Sequence, residues 1–230
     1  MSPRRLRVYL WGKWSNQAME LDFLKGHCGI VVVGAGGHAR VVVSTLRAAH
    51  EPVAAVFDDD PTLWDKRLLG VPIRGPVEKL SDFEGQAVIG IGDPHVRKSL
   101  VDRLQIHWAT VIHPSSFVDP AVPLGEGSVI FAGAVVQPES RIGAHAVVNT
   151  SATVDHNCIV EDFAQIAPGA NLCGSVSVGT GSFVGANAVV IEKLKVGQWS
   201  TVGAGAVVIR DLPDKVVAVG CPARIIKQLP

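Results

Sequence analysis

A six-residue period in the second half of the chain restricts the possible fold more than any other feature of the sequence. The period holds over seventeen consecutive steps, each of which carries Ile, Val or Leu: Ile112, Val118, Leu124, Ile130, Val136, Ile142, Val148, Val154, Val160, Ile166, Leu172, Val178, Val184, Val190, Val196, Val202 and Val208. The turns of an antiparallel sandwich vary in length and would break this phase. The period therefore predicts a parallel β-helix built from hexapeptide repeats.

Small residues accompany the long aliphatic ones. Two positions before most of the aliphatic steps stands Ser, Ala or Cys: Ser116, Ser128, Ala134, Ser140, Ala146, Ala152, Cys158, Ala164, Ala170, Ser182, Ala188, Ser200 and Ala206. Residues two apart in a strand lie on the same side, so we expect both positions to point into a narrow prism. Three hexads form one coil, which gives five to six coils. Glycine often follows the aliphatic residue, as at Gly125, Gly143 and Gly179, where a sharp turn is expected.

The front half predicts a different kind of structure. Apolar stretches at 30–33, 53–57 and 87–92 have the composition of buried strands, and helices are expected at 41–50 and 94–104. Strands that alternate with helices in this way predict a small βαβ-type unit with a parallel sheet.

A glycine-rich turn, residues 34–37, joins the first of these strands to the first helix. Such a turn exposes backbone N–H groups that suit a phosphate. The acidic run 58–60, at the end of the next strand, suits a sugar hydroxyl or a base edge. Residues 30–108 are too few for both halves of a dinucleotide-binding domain, which favours a nucleotide or a nucleotide sugar. A strand–helix turn without a ligand is the alternative.

The repeat also contains three histidines that are candidates for acid–base chemistry. His156 lies in the most polar part of the repeat, which consists of segments 149–151 and 155–157, and its spacing places it near a corner, facing outward. His113 and His145 also lie in the repeat, and the six-residue period does not choose among the three. The residues alone leave this choice open.

Composition and charge exclude several classes of protein. Lys and Arg number 21, as do Asp and Glu, and this neutral balance argues against a nucleic-acid binder or a polybasic membrane module. No apolar run approaches the length of a membrane span. The four cysteines form no CxxC pair, so neither a zinc site nor a disulfide scaffold is expected, and no metal is implied. We expect a cytoplasmic protein.

Five segments together resemble one family of acyltransferases. They are residues 31–40 (VVVGAGGHAR), 111–115 (VIHPS), 148–158 (VNTSATVDHNC), 169–174 (GANLCG) and 219–224 (VGCPAR). The chain is similar over residues 30–226 to the sialic acid O-acetyltransferase / nucleotide-4-amino-sugar N-acetyltransferase group of hexapeptide-repeat enzymes. The resemblance implies that the β-helix is left-handed and that acetyl-CoA is the co-substrate. It also implies a homotrimer with active sites between subunits.

With this resemblance, the chain is divided into four parts. Residues 1–29 form an N-terminal extension that matches nothing in the pattern. Residues 30–108 form a small Rossmann-like α/β domain for the nucleotide sugar, and residues 109–212 form the left-handed β-helix. A C-terminal tail covers residues 213–230.

The resemblance also assigns roles to individual residues. His156 matches the general base, with Asn149 near it and Asp155 and Asn157 on either side. The nucleotide sugar is expected to bind at Gly34, Gly36, Gly37, His38, Asp58, Asp59, Gly92 and Asp93. Acetyl-CoA is expected to bind at Gln165, Gly174, Ala186 and Gly205.

Two positions depart from the family pattern. Many relatives carry Asp or Glu directly after the histidine, where this chain has Asn157, and some carry a histidine where it has Gln165. Asp155 is a candidate to replace the missing acid. The expected reaction is acetylation of the 4-amino group of a nucleotide-linked 4-amino-4,6-dideoxy sugar. The alternatives are O-acetylation of a sugar of the sialic acid type and a β-helix that binds without catalysis.

Overall fold

The computed structural model describes residues 29–230, so all of the predicted extension except Gly29 lies outside the described residues. The front domain is a six-stranded sheet in the order β3-β4-β2-β1-β5-β6, parallel except for the β3–β4 pair. Its elements are β1 (Ile30–Val33), α1 (Gly37–Ala48), β2 (Val53–Phe57), β3 (Arg67–Leu68), β4 (Val71–Arg74), β5 (Gln86–Ile89), α2 (Pro94–Arg103) and β6 (His107–Trp108). The predicted α/β unit is confirmed.

The two helices cover opposite faces of this sheet. Val42 and Val43 of α1 pack with Val32 on one face, and Leu100 of α2 packs with Val31 on the other. A strand covered on both faces must be apolar throughout, which explains the continuous run Ile30–Val33. Helix α1 begins at 37 rather than at the predicted 41, and the β3–β4 pair was not predicted.

The second half winds as a three-faced prism. Face I contains β7 (Val111–Ile112), β9 (Val129–Ile130), β12 (Val147–Val148), β15 (Gln165–Ile166), β18 (Phe183–Val184), β21 (Thr201–Val202) and β23 (Val216–Val219). Face II contains β8 (Phe117–Val118), β10 (Val135–Val136), β13 (Thr153–Val154), β16 (Asn171–Leu172), β19 (Val189–Val190) and β22 (Val207–Val208). Face III contains β11 (Arg141–Ile142), β14 (Ile159–Val160), β17 (Ser177–Val178) and β20 (Lys195–Val196).

Parallel pairing links residues 18 apart, as in Val136↔Val154, so that three hexads make one coil. The aliphatic steps from Ile130 to Val208 are all buried in the prism core, as the period predicts. The first steps differ: Ile112 is 40% exposed, and Val118 and Leu124 are only partly buried. Ile112 lies on β7 at the end of face I, where no further coil covers it.

From Gly127 to Gly205, each corner of the prism contains one residue in the left-handed region of backbone conformation. These residues recur every six positions: Gly127, Gly133, Glu139, His145, Ser151, Asn157, Phe163, Gly169, Ser175, Gly181, Asn187, Lys193, Trp199 and Gly205. The glycines that follow the aliphatic residues come directly before these turns, as expected, but they do not themselves have a left-handed conformation. A Cβ at Gly143 would lie 2.5 Å from the backbone nitrogen of Asp162. Glycine is needed there because the next coil approaches closely.

The front domain docks on face I. Helix α1 packs against Val129 and Val147, whose side chains point outward from the prism. After residue 212, β23 continues face I in parallel with β21, and β24 (Arg224–Gln228) pairs antiparallel with it. Within residues 29–230, no helix is long and apolar enough to cross a membrane.

Candidate active site

The glycine-rich turn leaves open space in front of α1. Gly34 has φ +100°, and a Cβ there would lie 2.5 Å from Cγ1 of Ile91, so only glycine fits. A Cβ at Gly36 or Gly37 would meet no atom within 4 Å. Gly36 precedes α1, and no side chain caps this end of the helix. The turn thus offers room and unpaired helical N–H groups for a phosphate.

Asp58 holds this turn against the end of β2. Its Oδ2 accepts a hydrogen bond from the backbone of Ala35 at 2.7 Å, and its Oδ1 accepts one from Asp60 at 2.9 Å. Asp59 accepts from the backbone of Val77 at 2.8 Å and forms an ion pair of 3.5 Å with Arg103. Both carboxylates therefore order the loops around the predicted nucleotide site.

A cleft of about 410 Å³ opens at the carboxyl ends of β1, β2 and β5. Gly34, Asp58 and Asp59 line it together with His95 and Arg103. Ligands of open α/β sheets bind at this edge, so the structure brings these predicted residues to a suitable place.

The predicted loop after β5 forms the start of α2. Asp93 caps this helix, and its Oδ1 accepts from the backbones of His95 and Val96 at 2.8 and 3.1 Å. The carbonyl of Gly92 accepts from Arg97. Asp93 and Gly92 thus stabilise the start of α2 and the position of Arg97, and a role for them in substrate binding stays a prediction.

His38 faces the β-helix. Its ring meets the edge of Phe131, with centroids 5.3 Å apart, and its Nε2 is buried without a hydrogen-bond partner. Burial, aided by the positive charge of Arg97, lowers the pKa of His38 to about 4. This imidazole is therefore neutral at neutral pH, and it lies at the junction between the domains.

His156 is exposed at the corner between faces II and III, as its spacing predicted. Its Nδ1 lies 2.8 Å from Oδ1 of Asn157, and Nδ2 of Asn157 donates to Oε2 of Glu139 at 2.5 Å. Asp155 accepts from the backbone nitrogen of His156 at 2.8 Å. Asn157, and not Asp155, thus contacts the imidazole ring.

Gly174 lies beside the other edge of this imidazole. It follows His156 by one coil, and a Cβ at Gly174 would lie 2.6 Å from Cε1 and 2.7 Å from Nε2 of His156. The predicted general base and one predicted acetyl-CoA residue are therefore neighbours. Glycine at this position lets the ring lie against the backbone of the next coil.

The other predicted residues of the β-helix lie elsewhere. Asn149 is at the corner between faces I and II, where its Oδ1 accepts from the backbone of Thr150 at 2.8 Å. Ala186 and Gly205 share that corner, joined by a backbone hydrogen bond of 2.8 Å. Gln165 is buried on face I beneath the front domain. Within one chain, the predicted site residues therefore lie at two corners, on one face and in the front-domain cleft.

Two residues of this region were not predicted. Glu139 precedes Asn157 by 18 residues, the length of one coil, which relates the two positions but does not show that their side chains meet. Arg97 is fully buried between the domains, and no sequence pattern distinguishes it from a surface arginine of α2.

Two further observations concern Cys158 and the side chains that could bind a metal. Cys158 is buried in the prism core as expected, and burial raises the pKa of its thiol to about 11. Between residues 29 and 230, no group of three or more His, Cys, Asp or Glu side chains is placed to hold a metal ion.

Comparison with known proteins identifies the relatives of this chain. The PglD N-terminal domain family matches residues 29–104. The UDP-N-acetylbacillosamine N-acetyltransferase of Bacillus subtilis is 38% identical over 112 residues, which cover 45% of this chain and 51% of that enzyme. The matched segment thus spans about half the length of this curated relative.

Solved structures match over nearly their whole length. A histidine-to-alanine variant of the GDP-perosamine N-acetyltransferase of Caulobacter crescentus, in complex with CoA and GDP-perosamine, is 40% identical with a TM-score of 0.83. The match covers 87% of this chain and 97% of that one. The acetyltransferase domain of PglB from Neisseria gonorrhoeae, in complex with acetyl coenzyme A, is 34% identical with a TM-score of 0.80, over 86% and 98% of the two chains.

Proposed function

Because the chain belongs to the nucleotide-amino-sugar N-acetyltransferase group of left-handed β-helix acyltransferases, we propose that it acetylates the 4-amino group of a nucleotide-linked 4-amino-4,6-dideoxy sugar. The acetyl donor is acetyl-CoA. One observation carries the proposal: the exposed imidazole of His156 is held on one side by Asn157 and lies against Gly174 on the other.

The mechanism follows from this geometry. The neutral sugar amine attacks the thioester carbonyl of acetyl-CoA, and Nε2 of His156 takes the proton that the amine loses. The backbone N–H of Gly174 stabilises the negative charge that develops on the carbonyl oxygen. The thioester is already activated, so no covalent intermediate with the protein is needed. The thiolate of CoA leaves, and the rest of catalysis is positioning.

The protein acts as a homotrimer in this proposal. The front-domain cleft and the corner that carries Asn149 are separated, within one chain, from the corner that carries His156. Packing of three prisms would bring the His156 corner of one subunit to the cleft of its neighbour. Asn149, Ala186 and Gly205 would then border the acetyl-CoA groove from the facing subunit.

Release of the CoA thiol tests the reaction. We expect release with a nucleotide-linked 4-amino sugar and none with free sialic acid, and GDP-, UDP- and dTDP-linked acceptors should identify the nucleotide. The His156→Ala variant should lose about 10²- to 10⁴-fold in kcat and keep its oligomeric state. Near-wild-type turnover by this variant would falsify the assignment of the base. Thiol release with free sialic acid alone would favour O-acetylation.

Mixed trimers test the shared site. Gly36→Asp places a carboxylate where the phosphates should bind, and Asp is a favourable residue at the start of a helix. His156→Ala and Gly36→Asp should each be inactive. Unfolded and refolded together at equal amounts, they should regain about a quarter of the wild-type activity, because each site needs one intact half from each of two subunits. No recovery in verified mixed trimers would place the whole site within one subunit.

A further inference from the structure

We propose that Glu139 is a positioning residue for this acetyl transfer, which holds the proton of the His156 imidazole on Nδ1 through the side-chain amide of Asn157. The inference rests on the proposed function, since it concerns the same base. It concerns the position where the family's acidic residue is absent from this chain.

The corner geometry brings these side chains together. Glu139 and Asn157 occupy the same position in successive coils, and both have left-handed backbone conformations, with φ of 59° and 60°. Residues with the same backbone conformation in stacked coils direct their side chains alike. Nδ2 of Asn157 is consequently within 2.5 Å of Oε2 of Glu139, and its Oδ1 is 2.8 Å from Nδ1 of His156. A carboxylate one coil away thus reaches the imidazole through an amide.

The donor and acceptor types of these two hydrogen bonds determine which nitrogen of His156 carries the proton. An ionised carboxylate only accepts hydrogen bonds, so the amide group of Asn157 must turn its NH₂ towards Glu139. Its oxygen then faces the imidazole, and that oxygen also only accepts. Nδ1 of His156 must therefore carry the proton, and Nε2 keeps its lone pair.

The unprotonated nitrogen lies where the reaction needs it. Nε2 lies on the edge of the ring that faces Gly174, beside the proposed acetyl-CoA groove. Without Glu139, the amide of Asn157 is free to rotate by 180° and offer its NH₂ to Nδ1. That arrangement moves the imidazole proton to Nε2, and a protonated Nε2 cannot accept a proton from the sugar amine. The two histidine tautomers are thus distinguished by a residue that never touches the substrate.

Ring nitrogen resonances of the full-length protein test the inference directly. Long-range ¹H–¹⁵N correlation spectra at alkaline pH, assigned with His156→Ala, should show His156 with its proton on Nδ1. Glu139→Leu should give a mixture of both tautomers, whereas Glu139→Gln should keep the wild-type form because its amide oxygen still accepts from Asn157. A wild-type proton on Nε2, or an unchanged spectrum in Glu139→Leu, would overturn the proposal.

Kinetics give a second measurement. Glu139→Leu should lower kcat about 10- to 100-fold, with little change in KM for either substrate, and Glu139→Gln should restore most of the loss. Lys193→Ala is the matched control: this exposed residue lies at the same corner three coils away from Glu139, with φ of 62° in the wild type. It should leave kcat unchanged. A fall in kcat for Lys193→Ala as large as for Glu139→Leu would mean that the loss is not specific to Glu139, which would contradict the proposal.

A double variant that exchanges the acid and the amide between positions 139 and 157 tests the hydrogen-bonded link to His156 separately from a general loss of structure. Asn157→Asp alone brings two carboxylates together and should lose activity. Adding Glu139→Gln lets the glutamine amide donate to the new aspartate, which then accepts from Nδ1 directly. The double variant should be more active than Asn157→Asp alone, and the reverse order would contradict the proposal. If the wild-type protein acetylates no amino sugar, the proposed function fails, while the tautomer spectra still decide the role of Glu139.

Discussion

The guanidinium of Arg97 donates a hydrogen bond of 3.2 Å to Oε1 of Gln165, across the junction between α2 and face I of the prism. It also donates to the backbone oxygens of Gly92 and Phe163, both at 2.5 Å. The partners of this buried cation are thus neutral oxygens on both domains, and not a carboxylate. Burial lowers the pKa of Arg97 only to about 10, so it remains charged at neutral pH. Arg97 therefore adds a charged, hydrogen-bonded link to the apolar packing that docks the front domain on face I.

Removal of this side chain should loosen the junction. Arg97→Ala leaves the part-buried carbonyl oxygens of Gly92 and Phe163 without this donor, and an acceptor left unsatisfied costs up to about 1–3 kcal/mol. We expect the free energy of unfolding in urea to fall by about 2–4 kcal/mol. Lys98→Ala, which removes an exposed ion pair of the same helix, should change it by less than about 0.5 kcal/mol. Equal effects of the two substitutions would show that Arg97 does not hold the domains together.

Two histidines beside this arginine should make stability depend on pH. Burial, together with the charge of Arg97 and against the opposing influence of Asp162, lowers the pKa of His145 to about 4, and His38 behaves alike. Below the ordinary value of 6.5, the unfolded chain binds protons that the folded chain does not. The contribution of these two neutral histidines to stability is therefore complete above pH 6.5. The free energy of unfolding should decrease as the pH falls from 6.5 towards 4.

His145→Phe tests this source of the pH dependence. Both ring nitrogens of His145 are buried without partners, and the ring stacks on Phe163. Phe163 itself occupies the equivalent left-handed corner position one coil later, so phenylalanine is compatible with that backbone. We expect stability at pH 7.5 within about 1.5 kcal/mol of the wild type and a shallower loss of stability between pH 6.5 and 4. Urea unfolding at several pH values measures both, and an unchanged slope would contradict the expectation.

Gly174→Ala should separate activity from folding. The added methyl group would lie 2.6 Å from Cε1 of His156, so the exposed imidazole must move away. A displaced base should lower kcat by about 10²-fold. The thermal unfolding temperature should change little, because the exposed ring can shift without disturbing the core. Ser175→Ala, the adjacent exposed residue, is the control and should retain wild-type kcat.

Asp58→Ala should weaken binding of the nucleotide sugar. The substitution removes the acceptor for the backbone N–H of Ala35 and frees the glycine-rich turn from the end of β2. We expect KM for the nucleotide sugar to rise about tenfold, a loss of about 1.4 kcal/mol, with KM for acetyl-CoA unchanged. Asp65→Ala, an exposed acidic residue of the same domain, is the control. A parallel rise in both KM values would point to damage beyond the turn.

The six-residue period predicted the prism because many successive aliphatic positions all agree with the same spacing. The errors of the sequence-based prediction have local causes. Ile112 satisfies the period but lies at the end of face I, and a repeat cannot show where its own ends lose their cover. The pair β3–β4 was missed because Arg67 and Arg74 interrupt the apolar pattern that marks a strand.

The candidate site was harder to predict than the fold. A resemblance identified His156, but the absence of an acid at Asn157 could not reveal that Glu139 stands one coil below. That contact joins residues 18 apart, and it depends on the left-handed corner as well as on the length of the coil. Arg97 could not be predicted at all, because its surroundings come from a different domain.

The left-handed residue at every sixth position determines how the length of this chain can change. A single residue inserted between Asn157 and Phe163 would shift all later aliphatic side chains out of register, because side chains alternate between the two sides of a strand. Insertion or deletion of 18 residues would instead restore every face. A deletion after Ser175 would even preserve the contact of His156 with Gly174, so shorter and longer prisms can carry the same pair of residues.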